Sequence, residues 1–223
     1  MCSIIKNNVR VTSLAFVTCL VSSVALWKYG IRACSDENRV IIFFFMYVSL
    51  MQWVDFGIWS DLDCTSGWNA LATRMGPWLN NLQPFVLCVL VGWIMGSKFL
   101  LFTSVVYGAF VVYKNLTSQM DVCTRTFDNA DACPARQLDT CNGGLRWQWN
   151  QVFPYVWYHI VMGIVGMWAV VHGKMSFVFA LMLSYVFFAV EVFKNKRRVG
   201  EMWCFLVNCV PLATLLFQKV APR

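Results

Sequence analysis

The stretch VIIFFFMYVSLMQWVDFGIW, residues 40–59, contains 20 residues and a single charged side chain, Asp55. A helix needs about 20 mostly apolar residues to cross the hydrocarbon core of a bilayer. The whole chain has the same character, since 59% of its 223 residues are hydrophobic and only 13% are charged. A soluble domain carries about 25% charged residues. The composition therefore predicts a membrane protein and excludes a nucleic-acid-binding module, in spite of the net charge of +7.

Further apolar runs recur along the chain, separated by polar or charged residues. About seven are read as spans, of which the fourth and the seventh are short: 11–27, 40–59, 78–95, 99–113, 152–171, 176–193 and 203–217. They predict an all-α fold, a polytopic transmembrane helical bundle that forms one domain over residues 1–223. The topology is rhodopsin-like, but span seven lacks the mid-helix lysine that retinal requires, and Lys219 lies beyond its end. We therefore expect neither retinal nor another cofactor.

Two longer loops are predicted, at 60–77 and 114–151, and with seven spans both lie on one side of the membrane. Together they carry four cysteines, which are disulfide candidates: Cys64, Cys123, Cys133 and Cys141. Two disulfides would place this side in an oxidising compartment, whereas four free thiols would place it in a reducing one. Both interpretations fit the spacing. The 114–151 loop is also the segment through which a protein partner is expected to bind.

The orientation of the bundle is left open by its charges. The densest basic cluster lies between spans six and seven, on the same side as the cysteines: Lys194, Lys196, Arg197 and Arg198. Short basic loops favour the cytoplasmic face, which opposes the disulfide interpretation. The same cluster is a candidate contact for anionic lipid headgroups.

Polar and ionisable side chains within the spans are candidates for a ligand, ion or proton pathway, because such groups normally face the interior of a bundle. The candidates are Gln52, Asp55, Asn81, Gln83, His159, Glu191 and Asn208. Gln52 and Asp55 are three residues apart and share a helical face. We expect these groups to form a polar pocket at the centre of the bundle. The alternative is that they serve only as hydrogen bonds between helices.

Motifs of known chemistry are missing from the sequence. It contains no HExxH, GxSxG or Cys-x-x-Cys motif and only two histidines, so neither a metal site nor a named catalytic pair is predicted. The sequence therefore favours a protein that is not an enzyme. Gly92-x-x-x-Gly96 indicates a close helix contact, of the kind that also supports homo-oligomers.

Several short segments resemble a family of uncharacterised multi-span membrane proteins of large DNA viruses and some microbial eukaryotes. They are Met1-Cys2, Met51-Gln-Trp-Val-Asp55, Leu82-Gln83-Pro84 and Tyr158-His159. The family has Met-Glu-x-x-Gln in its second span, so the acid and the amide have exchanged places in this chain. The resemblance implies a shared helical bundle and a viral origin. It implies no activity.

Two functions follow as hypotheses. The first is a membrane bundle with a polar intramembrane pocket, acting as a small transporter, channel or ligand-binding protein. The second is a structural component of a viral or host secretory-pathway membrane, whose cysteine-containing loop contacts other proteins. An enzyme that acts on lipid within the membrane comes third.

Overall fold

The structure, a computed structural model, describes residues 9–118, 122–124, 153–194 and 206–221, without the side chains of 190–194. Over these ranges the chain is helical and contains no strand, which confirms the all-α class. The helices are α1 (Val9–Tyr29), α2 (Ser35–Ser49), α3 (Met51–Ser60), α4 (Trp68–Asn81), α5 (Gln83–Ile94), α6 (Lys98–Thr117), α7 (Tyr155–Val171), α8 (Met175–Lys194) and α9 (Val210–Val220). Single turns of 3-10 helix precede α2 and α9.

Among the described residues, three helices are long and apolar enough to cross a membrane. They are α1, the continuous run Arg32–Ser60 that contains α2 and α3, and α6. The pair α4 and α5 passes the same test together, but it bends by 46°, as a broken span or a re-entrant segment does. The remaining helices are apolar but shorter. The helices therefore support a membrane protein, whereas the seven-span, rhodopsin-like topology is not confirmed.

The helices present their apolar residues outward, as a bilayer requires. On α1, Leu14 and Val21 are each 64% exposed, whereas Ser22 is buried. On α6, Phe102 is exposed and Ser104 is buried in the same way. A helix on the surface of a water-soluble bundle shows the opposite pattern, with its polar face outward. The exposed apolar side chains therefore agree with the membrane location that the hydrophobic composition predicts.

The turns between the helices lie at two ends of the bundle. One end, which we call the cysteine face, holds residues 61–67 and 122–124, joined by a disulfide between Cys64 and Cys123. The other end, the lysine face, holds residues 30–34, 95–97 and 172–174. Hydrogen bonds at the lysine face join distant parts of the chain. Gln218 accepts one from Ile31 N and donates another to Ser176 Oγ.

Helices extend into both of the predicted loops. The predicted 60–77 loop contains most of α4, which begins at Trp68 and continues through Pro77. α6 extends into the predicted 114–151 loop as far as Thr117. The prediction of α4 as a loop was wrong because its polar residues interrupt the apolar run. Asn69 and Thr73 lie on its buried face, opposite an exposed apolar face that includes Leu71.

The close approach of α5 and α6 depends on Gly92. A Cβ atom at this position would lie 2.5 Å from Leu101 Cγ and 3.0 Å from the Ser97 carbonyl oxygen. Gly96 makes the turn between the helices with a φ of +76°, a conformation that other residues adopt with strain. The Gly92-x-x-x-Gly96 pair therefore closes a contact within one chain.

Candidate functional site

The most extensive polar group within the bundle surrounds the bend between α4 and α5. Pro84, at the start of α5, has no N–H to donate to the carbonyl of Asn80, so the helical ladder is interrupted there. The carbonyl oxygen of Asn81 accepts a hydrogen bond from the Tyr107 hydroxyl at 3.0 Å. Broken helices are tolerated in membranes where side chains of this kind satisfy the freed backbone groups.

Amide and tyrosine side chains from four helices meet at this bend. We refer to them as the amide–tyrosine cluster: Asn80, Asn81, Gln83, Tyr107, Asn115, Tyr155 and Tyr158. Asn80 Nδ2 donates to the Tyr155 hydroxyl at 2.7 Å, and Asn81 Nδ2 donates to Asn115 Oδ1 at 3.0 Å. These bonds tie α4 to α7 and to α6. They are the interhelical hydrogen bonds considered as the alternative role for such amides.

Gln83 extends the cluster into α5. Its Oε1 accepts a hydrogen bond from the Tyr158 hydroxyl at 2.5 Å. The rings of Tyr155 and Tyr158 lie 5.9 Å apart, so the Gln83 contact adjoins the Asn80 contact. Asn81 and Gln83, which were selected together from the start of the third predicted span, both belong to this group.

Two nitrogen atoms of the cluster are buried without a hydrogen-bond partner. They are Nε2 of Gln83, a residue with 0% exposure, and Nδ2 of Asn115. A buried donor that lacks a partner costs about 1–3 kcal/mol. Each such nitrogen can only donate, so what satisfies it must accept a hydrogen bond. The cluster thus has a defined chemical preference.

Gln52 and Asp55 share the buried face of α3, as their spacing predicts. They are 2% and 1% exposed. The Nε2 atom of Gln52 is a further buried donor without a partner. Because α3 packs against α1 and α4, these two side chains lie in the interior of the bundle.

The other sequence candidates lie elsewhere. His159 is half-buried, with its Nδ1 3.2 Å from the Tyr185 hydroxyl and its ring against Phe188, both on α8. Asn208 is buried in the turn before α9, where its carbonyl oxygen accepts a hydrogen bond from Ser22. Glu191 belongs to α8, but its side chain lies outside the described residues. Cys133, Cys141 and residues 195–198 also lie outside them.

A second polar group lies at the lysine face and was missed in the sequence. The Oε2 atom of Glu37 accepts a hydrogen bond from Phe177 N at 2.9 Å and so caps the first turn of α8. Gln218 Nε2 donates to Asn38 Oδ1 at 2.7 Å. Polar side chains near helix ends normally face water, so no local pattern indicates that these residues are buried.

At the cysteine face, residues 122–124 are fixed to α4. Asn69 Nδ2 donates to the Thr124 carbonyl at 2.9 Å, and Asn69 Oδ1 accepts from Thr124 N at 2.9 Å. The disulfide between Cys64 and Cys123, with Cα atoms 6.2 Å apart, lies beside this contact. We call this arrangement the Thr124 clamp. Two of the four cysteine candidates, Cys64 and Cys123, are thus joined in a disulfide.

Asp61 organises the loop that leads into the clamp. Backbone N–H groups of Ser66, Asn69 and Thr65 donate to its carboxylate, and they lower the pKa of Asp61 from 3.8 to about 2. A lowered pKa stabilises the fold above the unfolded value, and this stabilisation is lost as the pH falls through the folded value.

We therefore expect the melting temperature to fall between about pH 4 and about pH 2 as Asp61 is protonated. Asp61→Asn should flatten this part of the profile, while Asp63→Asn, which changes an exposed neighbour, should leave it unchanged. Thermal unfolding in detergent across this range measures both variants. A wild-type profile retained by Asp61→Asn would contradict the role of the carboxylate.

No group of three or more His, Cys, Asp or Glu residues able to hold a metal ion exists within the described ranges. Comparison with protein-family models, with curated proteins and with solved structures finds no match.

Proposed function

We propose that the protein is an integral membrane helical bundle whose amide–tyrosine cluster binds a small solute that accepts hydrogen bonds. It would act as a small transporter, channel or ligand-binding protein. The observation that carries the proposal is the pair of buried, unpartnered donors, Gln83 Nε2 and Asn115 Nδ2, within the amide–tyrosine cluster. A purely structural cluster would be expected to pair both of them.

The chemistry of the cluster favours an anion or water over a cation. Both unpartnered atoms are N–H donors, and a cation would need oxygen atoms in their place. Residues on both sides of a helix bend supply the site, and discontinuous helices form the substrate sites of many transporters. Chloride and water are therefore the first solutes to test.

The test is solute flux into liposomes that contain the purified protein. Gln83→Leu and Asn115→Leu each remove one unpartnered donor and should lower the chloride or water flux about ten-fold, the factor for about 1.4 kcal/mol of lost interaction. Thr103→Val is the matched control, because the exposed hydroxyl of Thr103 on α6 bonds only to a carbonyl of its own helix. Unchanged flux in both cluster variants would contradict the proposal.

The second candidate is a structural component of a viral or secretory-pathway membrane that contacts a protein, or further copies of itself, through residues 125–152. The observation that favours it is the fixation of both ends of this segment. Thr124 is held by the clamp, and the buried Phe153 packs edge-on against Phe110 with ring centroids 5.9 Å apart.

Replacement of residues 125–152 by a Gly/Ser linker of the same length tests this second candidate. We expect the melting temperature to stay within a few degrees of wild type, since both anchoring contacts remain. Chemical crosslinks to partners or to further copies should disappear. Crosslinks that survive the replacement would place the contact elsewhere on the bundle.

A further inference from the structure

An apolar groove runs along the outer face of α7. It has a volume of 580 Å³ and is lined along its length by Ile160, Gly163, Met167 and Val171. Gly163 forms an open part of its floor, because no atom lies within 4 Å of a Cβ atom built there. The groove is shallow and open toward the surroundings of the bundle. The groove is not part of the amide–tyrosine cluster.

The groove extends from His159 in α7 to His172 just after it. His172 lies thirteen positions after His159, which corresponds to a rise of about 20 Å along the helix. One leaflet of a bilayer contributes about half of the roughly 30 Å hydrocarbon core. The groove therefore has the length and the apolar character that suit one lipid acyl chain.

Two lysines lie close in the chain to the residues that line the end of the groove at the lysine face. Phe99 and His172 line this end, and Lys98 and Lys174 lie next to them in the chain. Lys98 is exposed, and neither lysine forms an ion pair within the described ranges, although the charge of Lys174 also acts on Glu37. A phosphate at this position would meet two ammonium groups and one imidazole.

The His172 ring is oriented for such a contact. Its Nδ1 lies 2.8 Å from the Trp168 carbonyl oxygen, and the ring stacks on Trp168 with centroids 4.4 Å apart. A carbonyl oxygen only accepts hydrogen bonds, so Nδ1 carries a proton. The second ring nitrogen, Nε2, faces no such carbonyl partner among the described residues and donates to a phosphate when the ring is an imidazolium with protons on both nitrogens.

From this geometry we propose that the groove binds an anionic phospholipid of the surrounding bilayer. One acyl chain lies along α7, and the phosphate lies beside Lys98, His172 and Lys174. The site rests on the membrane location in the proposed function, but it is independent of the solute cluster. It is also distinct from the predicted lipid contact at Lys194, Lys196, Arg197 and Arg198, of which Lys194 is the last residue of α8.

The test uses the full chain in nanodiscs made of equal amounts of phosphatidylglycerol and phosphatidylcholine, followed by native mass spectrometry. Wild-type protein should retain phosphatidylglycerol in preference to phosphatidylcholine. Lys98→Ala and Lys174→Ala should each weaken this retention about five-fold. Gly163→Trp should abolish it by filling the groove, and we expect the fold to be retained because no atom lies within 4 Å of the new Cβ atom.

Two matched controls separate this site from general effects. Lys28→Ala removes a lysine of the same face away from the groove, and Val24→Trp adds bulk to an exposed position on α1. Both should retain the lipid as wild type does. Equal retention of the two lipids, or an equal loss in Lys28→Ala and Lys98→Ala, would overturn the proposal. Either outcome would overturn the lipid site alone and leave the membrane bundle of the proposed function intact.

Discussion

Asn69→Ala should lower the free energy of unfolding by about 2–4 kcal/mol. The Asn69 amide bonds to both backbone groups of Thr124, and its Oδ1 also accepts from Thr73 Oγ1 at 3.0 Å. Asn69 and Thr124 are both 0% exposed, so water cannot readily replace the lost partner. In the variant, the Thr124 N–H keeps its hydrogen bond to Thr73 Oγ1. The group left without its partner is therefore mainly the Thr124 carbonyl, which loses the bond from Asn69 Nδ2.

Thermal unfolding in detergent with the disulfide intact measures this loss. Arg74→Ala is the matched control, because it truncates an exposed polar side chain of the same helix to alanine. Cys123→Ser combined with Asn69→Ala should destabilise by an amount that differs from the sum of the two single effects, since both residues fix the same segment. Equal melting temperatures for Asn69→Ala and Arg74→Ala would show that the clamp contributes nothing.

Gly92→Val should destabilise the bundle by about 1–3 kcal/mol through overpacking. The added Cβ atom meets Leu101, whose side chain can move, and the Ser97 carbonyl, which belongs to the backbone of the α5–α6 turn. Relief of the second contact requires α5 and α6 to move apart. The position is buried, so the new methyl groups have no open space to enter.

Gly163→Val provides the comparison for this variant. It makes the same change within a helix, at a glycine with no atom within 4 Å of the new Cβ. We expect its melting temperature to remain close to that of wild type, while that of Gly92→Val falls by several degrees. Similar changes in both variants would indicate a general effect of helix propensity instead of the α5–α6 contact.

The sequence was sufficient to predict most helices, because an uninterrupted apolar run is a strong indication of a membrane helix. The predicted runs 11–27 and 176–193 correspond to α1 and α8 within two residues at each end. The prediction failed for α4, whose buried face is polar. Asn69 and Thr73 contact Thr124, which lies 55 and 51 positions away in the chain, and no local pattern reveals such contacts.

The candidate site was predictable in part. Polarity within a span identified Asn81 and Gln83, and both take part in the amide–tyrosine cluster. The same criterion also selected His159, but neighbouring residues on a helix point in directions about 100° apart. Tyr158 faces the cluster, so His159 faces α8 and the groove. Only the packing of the helices decides which of two adjacent polar side chains points inward.

The contact between Asn81 and Asn115 has a consequence for the biosynthesis of the protein. Asn115-Leu-Thr117 is an acceptor sequence for N-linked glycosylation, and a glycan is attached through the side-chain nitrogen. In the folded bundle that nitrogen, Asn115 Nδ2, is buried, and the neighbouring Oδ1 is bound to α4. A glycosyltransferase can therefore reach Asn115 only before α4 and α6 have packed together. Attachment of a sugar at this position would mark chains that have failed to assemble their helices, and the modified chain could not form the contact afterwards.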